Sequence, residues 1–504
     1  MQGSVVGGGI RQSLSFHWKL LLSLAIILNT VAIMTSELGL DAHVRGALVE
    51  SDQGWVLDWG DVRTSDPMGS DPNDSTVFDS VSNSSAKQLA IIGMILAIIV
   101  CWKLNLRIST IVILLINPAL IFSVGRGYYE YTYLAMLGIS WAIWCKSRNY
   151  STEKGVLPRL VAISISASIL LAILMIKLRI NFTSLILPLI VLILIGYLVD
   201  QIPHERINPK KSLTFGFFGG ILGVILLGML GYGTFTIIID EPIRFIQALP
   251  ISVFGVVIVY GLFGMVIWPF ITDIWKAISD DTDRTTNELC LLIGILAGSI
   301  VTYVACLWAY ESILWGSEWP WHMWTMGNNG RYITILAIPS YVLIKRVNGD
   351  INWDQPKAII GVILILPLSF TAGIHGQTYW TDAAASELSS EMENDSQFLL
   401  IHDSTLAMHY LYTFHTYIED VENRNITGHW RAPESNWNEE IKDSQEFSLL
   451  GDITDVEWIV FAPGTSWGGS GAIEGWYLHG TGKADFMNGG GDWSIWTNQP
   501  ASIS

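Results

Sequence analysis

Charged residues are scarce in this sequence, at 14% of its 504 residues, whereas hydrophobic residues make up 51%. The scarcity is greatest in eleven apolar runs, which we expect to be helices crossing about 30 Å of hydrocarbon. Transporters and proton pumps are expected to carry ionisable groups near the middle of such helices. The centres of these runs hold almost none, which argues against both classes. The runs lie near residues 18–36, 88–102, 108–124, 131–145, 159–176, 183–199, 213–232, 250–271, 289–309, 332–344 and 358–373.

Cysteine is also scarce, with four residues in the whole chain. All four fall inside or at the ends of apolar runs, where cysteine behaves as a small packing residue. The sequence therefore predicts no disulfide framework. These residues are Cys101, Cys145, Cys290 and Cys306.

Basic residues are few, 28 Lys and Arg against 45 Asp and Glu, and the deficit is largest near the end of the chain. Residues 374–504 hold 20 acidic and 4 basic side chains, and residues 37–86 hold 10 acidic and 2 basic ones. Such acidity argues against nucleic acid, and against anionic lipid headgroups, as partners of the last segment. A saline habitat would explain the same composition equally well.

The positions of Lys and Arg predict sidedness, because short cytoplasmic loops carry the basic excess. An N-terminus inside the cell places 16 of the 28 basic residues on the cytoplasmic side. No small-residue cleavage site precedes Glu37, so we expect the first run to remain as an uncleaved helix. The predicted fold is a polytopic α-helical protein of the cell membrane, with about eleven transmembrane helices, its N-terminus inside and its C-terminus outside.

Two domains are predicted. Residues 1–373 form a membrane domain with a first external loop at 37–86, and residues 374–504 form an extracytoplasmic α/β domain. In the second domain "SQFLLIHDS", "VEWIVFAPG" and "WSIWTN" have strand patterns, and "TLAMHYLYTFHTYIEDVE" has helical spacing. Its runs "SWGGSGAIEGW" and "MNGGGDW" suit either stacking on a sugar ring or a packed loop. Its histidines lack metal-ligand spacing.

Polar and charged side chains gather at the predicted outer ends of the runs. "ELGLDAHVR" follows the first run, "GRGYYEY" ends the third, "DEPIRFIQALP" precedes the eighth and "WGSEWPWHMWTMGNNGRY" leads into the tenth. Each stretch alone has a simpler explanation, because Trp and Tyr anchor helices at bilayer surfaces while Arg and Glu reach toward headgroups. Together they would place carboxylates and arginines in one external cavity of a helix bundle. The candidate site residues are Glu37, Asp41, His43, Arg45, Arg126, Tyr129, Glu130, His322, Arg331 and Tyr332.

This combination suits the transfer of a sugar from a polyprenyl phosphate. The reaction needs a carboxylate that removes a proton from the acceptor and cations that hold the departing phosphate. It also needs an apolar groove for the lipid tail and a wet opening for the acceptor. Membrane helices would supply the groove, and external loops would supply the opening.

Three of these motifs give the sequence a resemblance to the GT-C class of integral membrane glycosyltransferases, near the protein O-mannosyltransferases and the lipid A aminoarabinose transferases. Those enzymes have an acidic residue in the first external loop, matched here by Asp41 with Glu37 beside it. They often have an Arg and a carboxylate at the outer end of an early span, matched by Arg126 and Glu130. Many carry an Arg-Tyr pair entering a late span that contains proline, matched by "NNGRYITILAIPSYVLI".

The resemblance implies a glycosyltransferase that uses a polyprenyl-phosphate sugar donor and a lipid, protein or glycan acceptor among the membrane lipids. Asp41 or Glu37 is then the expected general base. The adjacent Asp-Glu pair of the mannosyltransferases is missing here, which leaves that choice open. The expected donor-phosphate ligands are Arg331, Arg126 and Arg45, and the expected acceptor-side or supporting residues are Glu130, Tyr129, His43, Tyr332 and His322.

Two alternatives stay open. The first loop is also similar to that of the oligosaccharyltransferase catalytic subunit, which implies protein N-glycosylation with a divalent metal, for which Asp41 and His43 would contribute ligands. The Trp-Trp-Asp-Tyr-Gly signature of that family is absent from this sequence. The second alternative is a membrane-anchored protein that binds or assembles surface glycan without catalysis.

Overall fold

The structure is largely helical in the part of the chain that it describes. This computed structural model describes residues 16–36, 39, 83–154, 157–178, 186–201, 208–231, 233–280, 283–314, 327–375, 380–389, 391–393, 396–402, 410, 414, 427–433, 435–442, 453–467, 471–484 and 491–499. The α-helices of the first 374 residues are α1 (Phe16–Thr35), α2 (Asn83–Lys103), α3 (Ile108–Leu115), α4 (Pro118–Gly125), α5 (Glu130–Lys154), α6 (Leu157–Leu178), α7 (Ile186–Gln201), α8 (Pro209–Met229), α9 (Ile237–Asp240), α10 (Pro242–Ser252), α11 (Ile271–Asp280), α12 (Arg284–Leu314), α13 (Ala337–Asn348) and α14 (Pro356–Ile374).

Tighter and wider helical turns accompany these α-helices. The helix α10 continues into a π-helix over Val253–Gly264, and 3-10 helices lie at Gly233–Thr236, Trp268–Phe270 and Gly327–Leu336. The 3-10 helix Gly327–Leu336 leads directly into α13. The predicted run 332–344 is therefore part 3-10 and part α-helix rather than one uniform helix.

Five helices among the described residues are long and apolar enough to cross a membrane, and the bent pair α3 and α4 makes a sixth if it is one span. Helical structure occurs in each of the eleven predicted runs. Several of these helices are shorter or less apolar than a full span requires, so the number eleven stays a prediction. The five are His17–Thr35, Pro209–Met229, Pro242–Gly264, Arg284–Tyr310 and Pro356–Ile374.

The predicted run 108–124 bends by 60° between α3 and α4. Pro118 explains the bend, because it lacks an N–H and restricts the residue before it. The side chain of Asn117 then caps α4 by accepting two backbone N–H groups of the first turn. Carbonyl groups freed at the bend accept hydrogen bonds from Asn29 at 2.8 Å and from Ser369 at 2.6 Å. Polar side chains from α1 and α14 therefore satisfy the broken backbone inside the bundle.

The helix bundle has two chemically different ends. We call the end where α1 stops and α5 begins the distal end, and the opposite end the proximal end. At the proximal end, Lys345 Nζ donates to the Leu104 carbonyl at 3.3 Å, and Arg346 contacts Asp283 at 2.6 Å. Basic residues of the predicted cytoplasmic loops lie at this end, but the sidedness itself stays a prediction. Those described with their side chains include Lys103, Arg107, Arg159, Arg284, Lys345 and Arg346.

A five-stranded mixed sheet follows the helices, with the order β2-β1-β3-β5-β4. The strand β1 is parallel to β2 and β3, whereas β5 is antiparallel to β3 and β4. Alternate residues of β1 enter two separate cores, because successive side chains of a strand point to opposite faces. The strands are β1 (Gln397–Ile401), β2 (Thr427–Arg431), β3 (Trp458–Phe461), β4 (Tyr477–Lys483) and β5 (Asp492–Thr497), and the helices beside them are α15 (Trp380–Ser389) and α16 (Trp437–Glu440).

The sheet agrees with three predicted strands, which are β1, β3 and β5. The strands β2 and β4 were not predicted. Their sequences "TGHWR" and "YLHGTGK" contain glycine, which is depleted in strands, and β4 is an exposed edge strand without an apolar face. Most of the predicted helix "TLAMHYLYTFHTYIEDVE" falls outside the described residues. Tyr410 and Phe414 of that stretch are described, and both are helical.

Candidate functional site at the distal end

A buried ion pair joins two predicted motifs at the distal end. The Arg331 Nε atom lies 3.0 Å from the Glu130 Oε1 atom, and the two side chains are 3% and 4% exposed. Glu130 is the first residue of α5, where a negative charge is favoured by the helix dipole. Arg331 lies in the 3-10 helix Gly327–Leu336. The predicted proximity of these two residues agrees with this contact, and their roles stay predictions.

Two aromatic rings lie against the Arg331 guanidinium. Its Cζ atom lies 4.5 Å from the centroid of the Tyr128 ring and 4.8 Å from that of Tyr332. A guanidinium close to an aromatic face gains cation–π stabilisation. These rings therefore fix the plane in which Arg331 presents its N–H groups.

Arg126 brings a second guanidinium to the same end. It caps the C-terminus of α4, is 2% exposed, and places its Cζ atom 5.7 Å from the centroid of the Phe122 ring. The following residue, Gly127, has a φ of 69°, a left-handed conformation that glycine adopts without strain. That turn lets the chain reverse from α4 into α5, so that Arg126 and Glu130 belong to one corner.

The start of the first loop is attached to this corner. The backbone N–H of Gly39 donates to the Arg126 carbonyl oxygen at 2.9 Å. A Cβ atom on Gly39 would overlap the Tyr128 hydroxyl group, so glycine permits this close approach. The predicted residues Glu37, Asp41, His43 and Arg45 lie outside the described residues, as does His322 of the later loop.

Two further residues reach this site without having been predicted for it. His375, directly after α14, has its ring centroid 5.5 Å from that of Phe122. Burial, and then the positive charge of Arg126, lower the pKa of His375 to about 4. Tyr410 comes from the second predicted domain, and the charge of Arg126 opposes the rise that burial causes in its pKa. Tyr410 is therefore within electrostatic reach of Arg126.

The sequence offered little signal for these additional contacts. A single histidine after an apolar run is as typical of an ordinary helix end as of a binding site. Tyr410 lies in a stretch whose spacing predicts a helix and nothing more. Tyr260 of the π-helix lies inside an apolar run, yet it packs against Gly330, where a Cβ atom would overlap its ring. Tyr129, which was predicted, makes an edge-on contact with Tyr133 at 6.4 Å between ring centroids.

No group of three or more His, Cys, Asp or Glu side chains in the described part of the chain is arranged to hold a metal ion. The predicted alternative ligands, Asp41 and His43, are outside it.

Comparison with known proteins identifies a similar solved structure. No protein-family profile matches the chain, and no curated protein sequence matches it. Among solved structures, the chain is similar to ArnT from Cupriavidus metallidurans bound to undecaprenyl phosphate, over 97% of this chain and 99% of that chain, with 12% sequence identity and a TM-score of 0.41.

Proposed function

We propose that this protein is a membrane glycosyltransferase that takes a sugar from a polyprenyl-phosphate donor and passes it to a lipid, protein or surface-polymer acceptor outside the cell. The observation that carries the proposal is the burial of two arginines, Arg126 and Arg331, at the distal end, where Arg331 pairs with Glu130. The same corner is bonded to the start of the first loop through Gly39.

The donor groups of this corner suit a phosphate. Each guanidinium carries about five N–H donors in a planar fork that matches the oxygen atoms of a phosphate. A buried ion pair alone is weak evidence for a site, since such pairs also occur as structural contacts. The second arginine makes the difference, because two guanidinium groups can bind one phosphate from two directions.

An apolar surface for the lipid tail begins beside this corner. The π-helix Val253–Gly264 packs against the 3-10 helix that carries Arg331. Three large side chains of the π-helix, Phe254, Val259 and Phe263, are exposed to what would be hydrocarbon. π-Helical turns are rare in proteins, and those that occur are often found at functional sites. A polyprenyl chain lying along this helix would keep its phosphate beside Arg331.

The first loop would provide the general base. Gly39 is held at the Arg126 carbonyl, and the chain from Gly39 to Asp41 can extend by no more than about 7 Å. We assign Asp41 as the base, with Glu37 as the alternative, and Arg45 as a further phosphate ligand from the same loop. The remaining candidates are assigned to the acceptor side, or to positioning the base and the phosphate ligands. They are Tyr129, Tyr332, Glu130, His43 and His322.

Binding of undecaprenyl phosphate tests this assignment. The lipid combines a long apolar chain with a phosphate, and its affinity can be measured by native mass spectrometry of the full-length protein in detergent. We expect Arg331→Gln and Arg126→Gln each to weaken binding at least about tenfold, because a hydrogen bond to a charged group contributes about 1.5–3 kcal/mol. Asp41→Asn should leave binding intact and stop the release of polyprenyl phosphate from a lipid-linked sugar donor.

Arg159 provides the matched control. It is also buried, stacks on Trp144 with its Cζ atom 4.1 Å from the ring, and donates to Ser147 at 2.7 Å, but it lies at the proximal end. We expect Arg159→Gln to leave lipid binding unchanged. The proposal would fail if Arg331→Gln and Arg126→Gln bound the lipid like the wild type, or if Arg159→Gln weakened binding as much as they do.

A further inference from the structure

His375 shares a packing partner with Arg126. Its ring centroid lies 5.5 Å from that of Phe122, and the Arg126 Cζ atom lies 5.7 Å from the same ring. The residue ends α14 at the distal end, whereas Arg126 ends α4. The helices α14 and α4 pack against each other, so this arrangement depends on the bundle and not on a local turn.

The hydrogen bond of one ring nitrogen fixes the tautomer of His375. Nδ1 lies 2.9 Å from the Ala372 carbonyl oxygen. Because a carbonyl oxygen only accepts, Nδ1 carries the hydrogen in this contact. Nε2 of the neutral ring then has a lone pair, and this atom is buried without a hydrogen bond to any described residue. A buried polar atom in this condition calls for a ligand or a functional explanation.

The charges around the ring disfavour its protonation in the absence of an anion. The helix α14 packs against α1 and α4 at this end. From α4 comes Arg126, from the following turn Tyr128, and from the second domain Tyr410, which is sensitive to the same arginine. Lys87 of α2 adds a positive charge where it donates to carbonyl groups at the end of α1. The carboxylate of Glu130 belongs to the same corner and pairs with Arg331. Burial and Arg126 nevertheless lower the pKa of His375 to about 4, so the ring is neutral near pH 7.

We propose that His375 takes up a proton from solvent when a phosphate group binds beside Arg126, and that the protonated Nε2 atom then donates a hydrogen bond to this phosphate. The inference rests on the proposed function, since it concerns the same anion. A bound phosphate offsets the repulsion between Arg126 and a protonated His375. It also accepts a hydrogen bond from Nε2, which offsets the cost of burying the charged ring. The step forms one N–H bond at Nε2 and breaks the bond of that proton to hydronium or to a buffer acid, and no other covalent bond changes.

Protonation of His375 would also suit the charge change of sugar transfer. A sugar linked to a polyprenyl phosphate is a diester with one negative charge. The departing polyprenyl phosphate is a monoester, whose second ionisation has a pKa near 6. A third cation that forms only when negative charge is present would stabilise the departing group more than the intact donor, which is the requirement for accelerating the reaction.

The number of protons taken up when the lipid binds tests directly whether His375 becomes protonated. Calorimetric titration of the full-length protein with undecaprenyl phosphate at pH 6.0, repeated in buffers of different ionisation enthalpy, gives the number of protons taken up per lipid. The ionisation of the lipid itself is common to all variants. We expect wild type to take up more protons than His375→Phe, by more than half a proton and by no more than one. If the occupied site restores the ordinary pKa of about 6.5, the wild type also gains about fourfold in affinity over His375→Phe between pH 7.5 and pH 6.0.

The phenylalanine variant keeps a ring against Phe122, and His375→Asn provides a second variant that does not titrate. Equal proton uptake by wild type and both variants, with binding retained, would overturn the role of His375 and leave the proposed function standing. If wild type did not bind the lipid, or bound it no better than Arg331→Gln does, the proposed function itself would fail. The two failures are therefore distinguishable.

Discussion

At the scale of single residues, Arg331 depends on partners that are distant in sequence. Glu130 neutralises it over a separation of 201 positions, and Tyr128 and Tyr332 stack on it. A cation in such a buried position is stable only while its partners remain, because desolvation of an uncompensated charge is costly. Glu130 is therefore expected to hold Arg331 in place even if it never contacts a ligand.

Glu130→Gln should destabilise the folded protein by up to about 3–5 kcal/mol, because it leaves the Arg331 guanidinium buried beside a neutral group. The double variant Glu130→Gln with Arg331→Gln should regain a substantial part of this loss, since neither charge then remains. Chemical unfolding in detergent of the wild type, both single variants and the double variant gives the coupling free energy.

The buried pair of Arg431 and Glu440, 2.7 Å apart in the second domain, is the control. Glu440→Gln should likewise destabilise its own domain, yet it should leave the affinity for undecaprenyl phosphate unchanged. A coupling free energy near zero between Glu130 and Arg331 would contradict the role given to Glu130.

The residues of this corner were predictable to different degrees. Arg126, Glu130 and Arg331 were recognisable because charges at the ends of apolar runs are conspicuous. The role of Tyr128 as a stacking partner and the position of His375 beside Phe122 were not, because both depend on how helices far apart in sequence pack. Sequence spacing contains no information on such contacts.

At the scale of elements, the site depends on helices that are not regular. The π-helix Val253–Gly264 and the 3-10 helix Gly327–Leu336 pack face to face, and Gly330 allows the Tyr260 ring to approach the backbone beside Arg331. Apolar periodicity predicted helices here, but it does not distinguish α from 3-10 or π turns. Hydrogen-bond register within a helix is decided by packing, which explains why the irregular turns were not predicted.

Gly330→Ala tests the importance of this close contact. A Cβ atom would overlap the Tyr260 ring, so the 3-10 helix would have to move and shift Arg331 with it. We expect a loss of undecaprenyl phosphate binding approaching that of Arg331→Gln, although every charge is retained. The double variant with Tyr260→Ala should recover part of the binding because it removes the overlapping ring.

Gly219→Ala is a suitable control for this substitution. Gly219 lies in α8, and a Cβ atom there meets nothing within 4 Å. Alanine is about 1 kcal/mol better than glycine inside a helix, so this variant should be as stable as the wild type or slightly more stable, with unchanged binding. Binding by Gly330→Ala equal to that of Gly219→Ala would show that the contact with Tyr260 does not position Arg331.

At the scale of the whole molecule, composition predicted a helical membrane protein with a small α/β unit at its end, and the structure agrees at this coarse level. The exact number of spans stays a prediction, because the helices α3 and α4 bend and several others are short. The sidedness of the protein in the membrane also stays a prediction. The charge of Arg126, in the first predicted domain, affects the pKa of Tyr410, in the second. A sequence pattern could not have indicated this interaction, because the two residues belong to different predicted domains.

An experimental structure of the full-length protein with undecaprenyl phosphate tests the central claim most directly. The account predicts that the phosphate lies within hydrogen-bond distance of both the Arg126 and Arg331 guanidinium groups, with the lipid tail along the π-helix Val253–Gly264. A phosphate bound at the proximal end, for example beside Arg159, or one that contacts neither distal arginine, would contradict it.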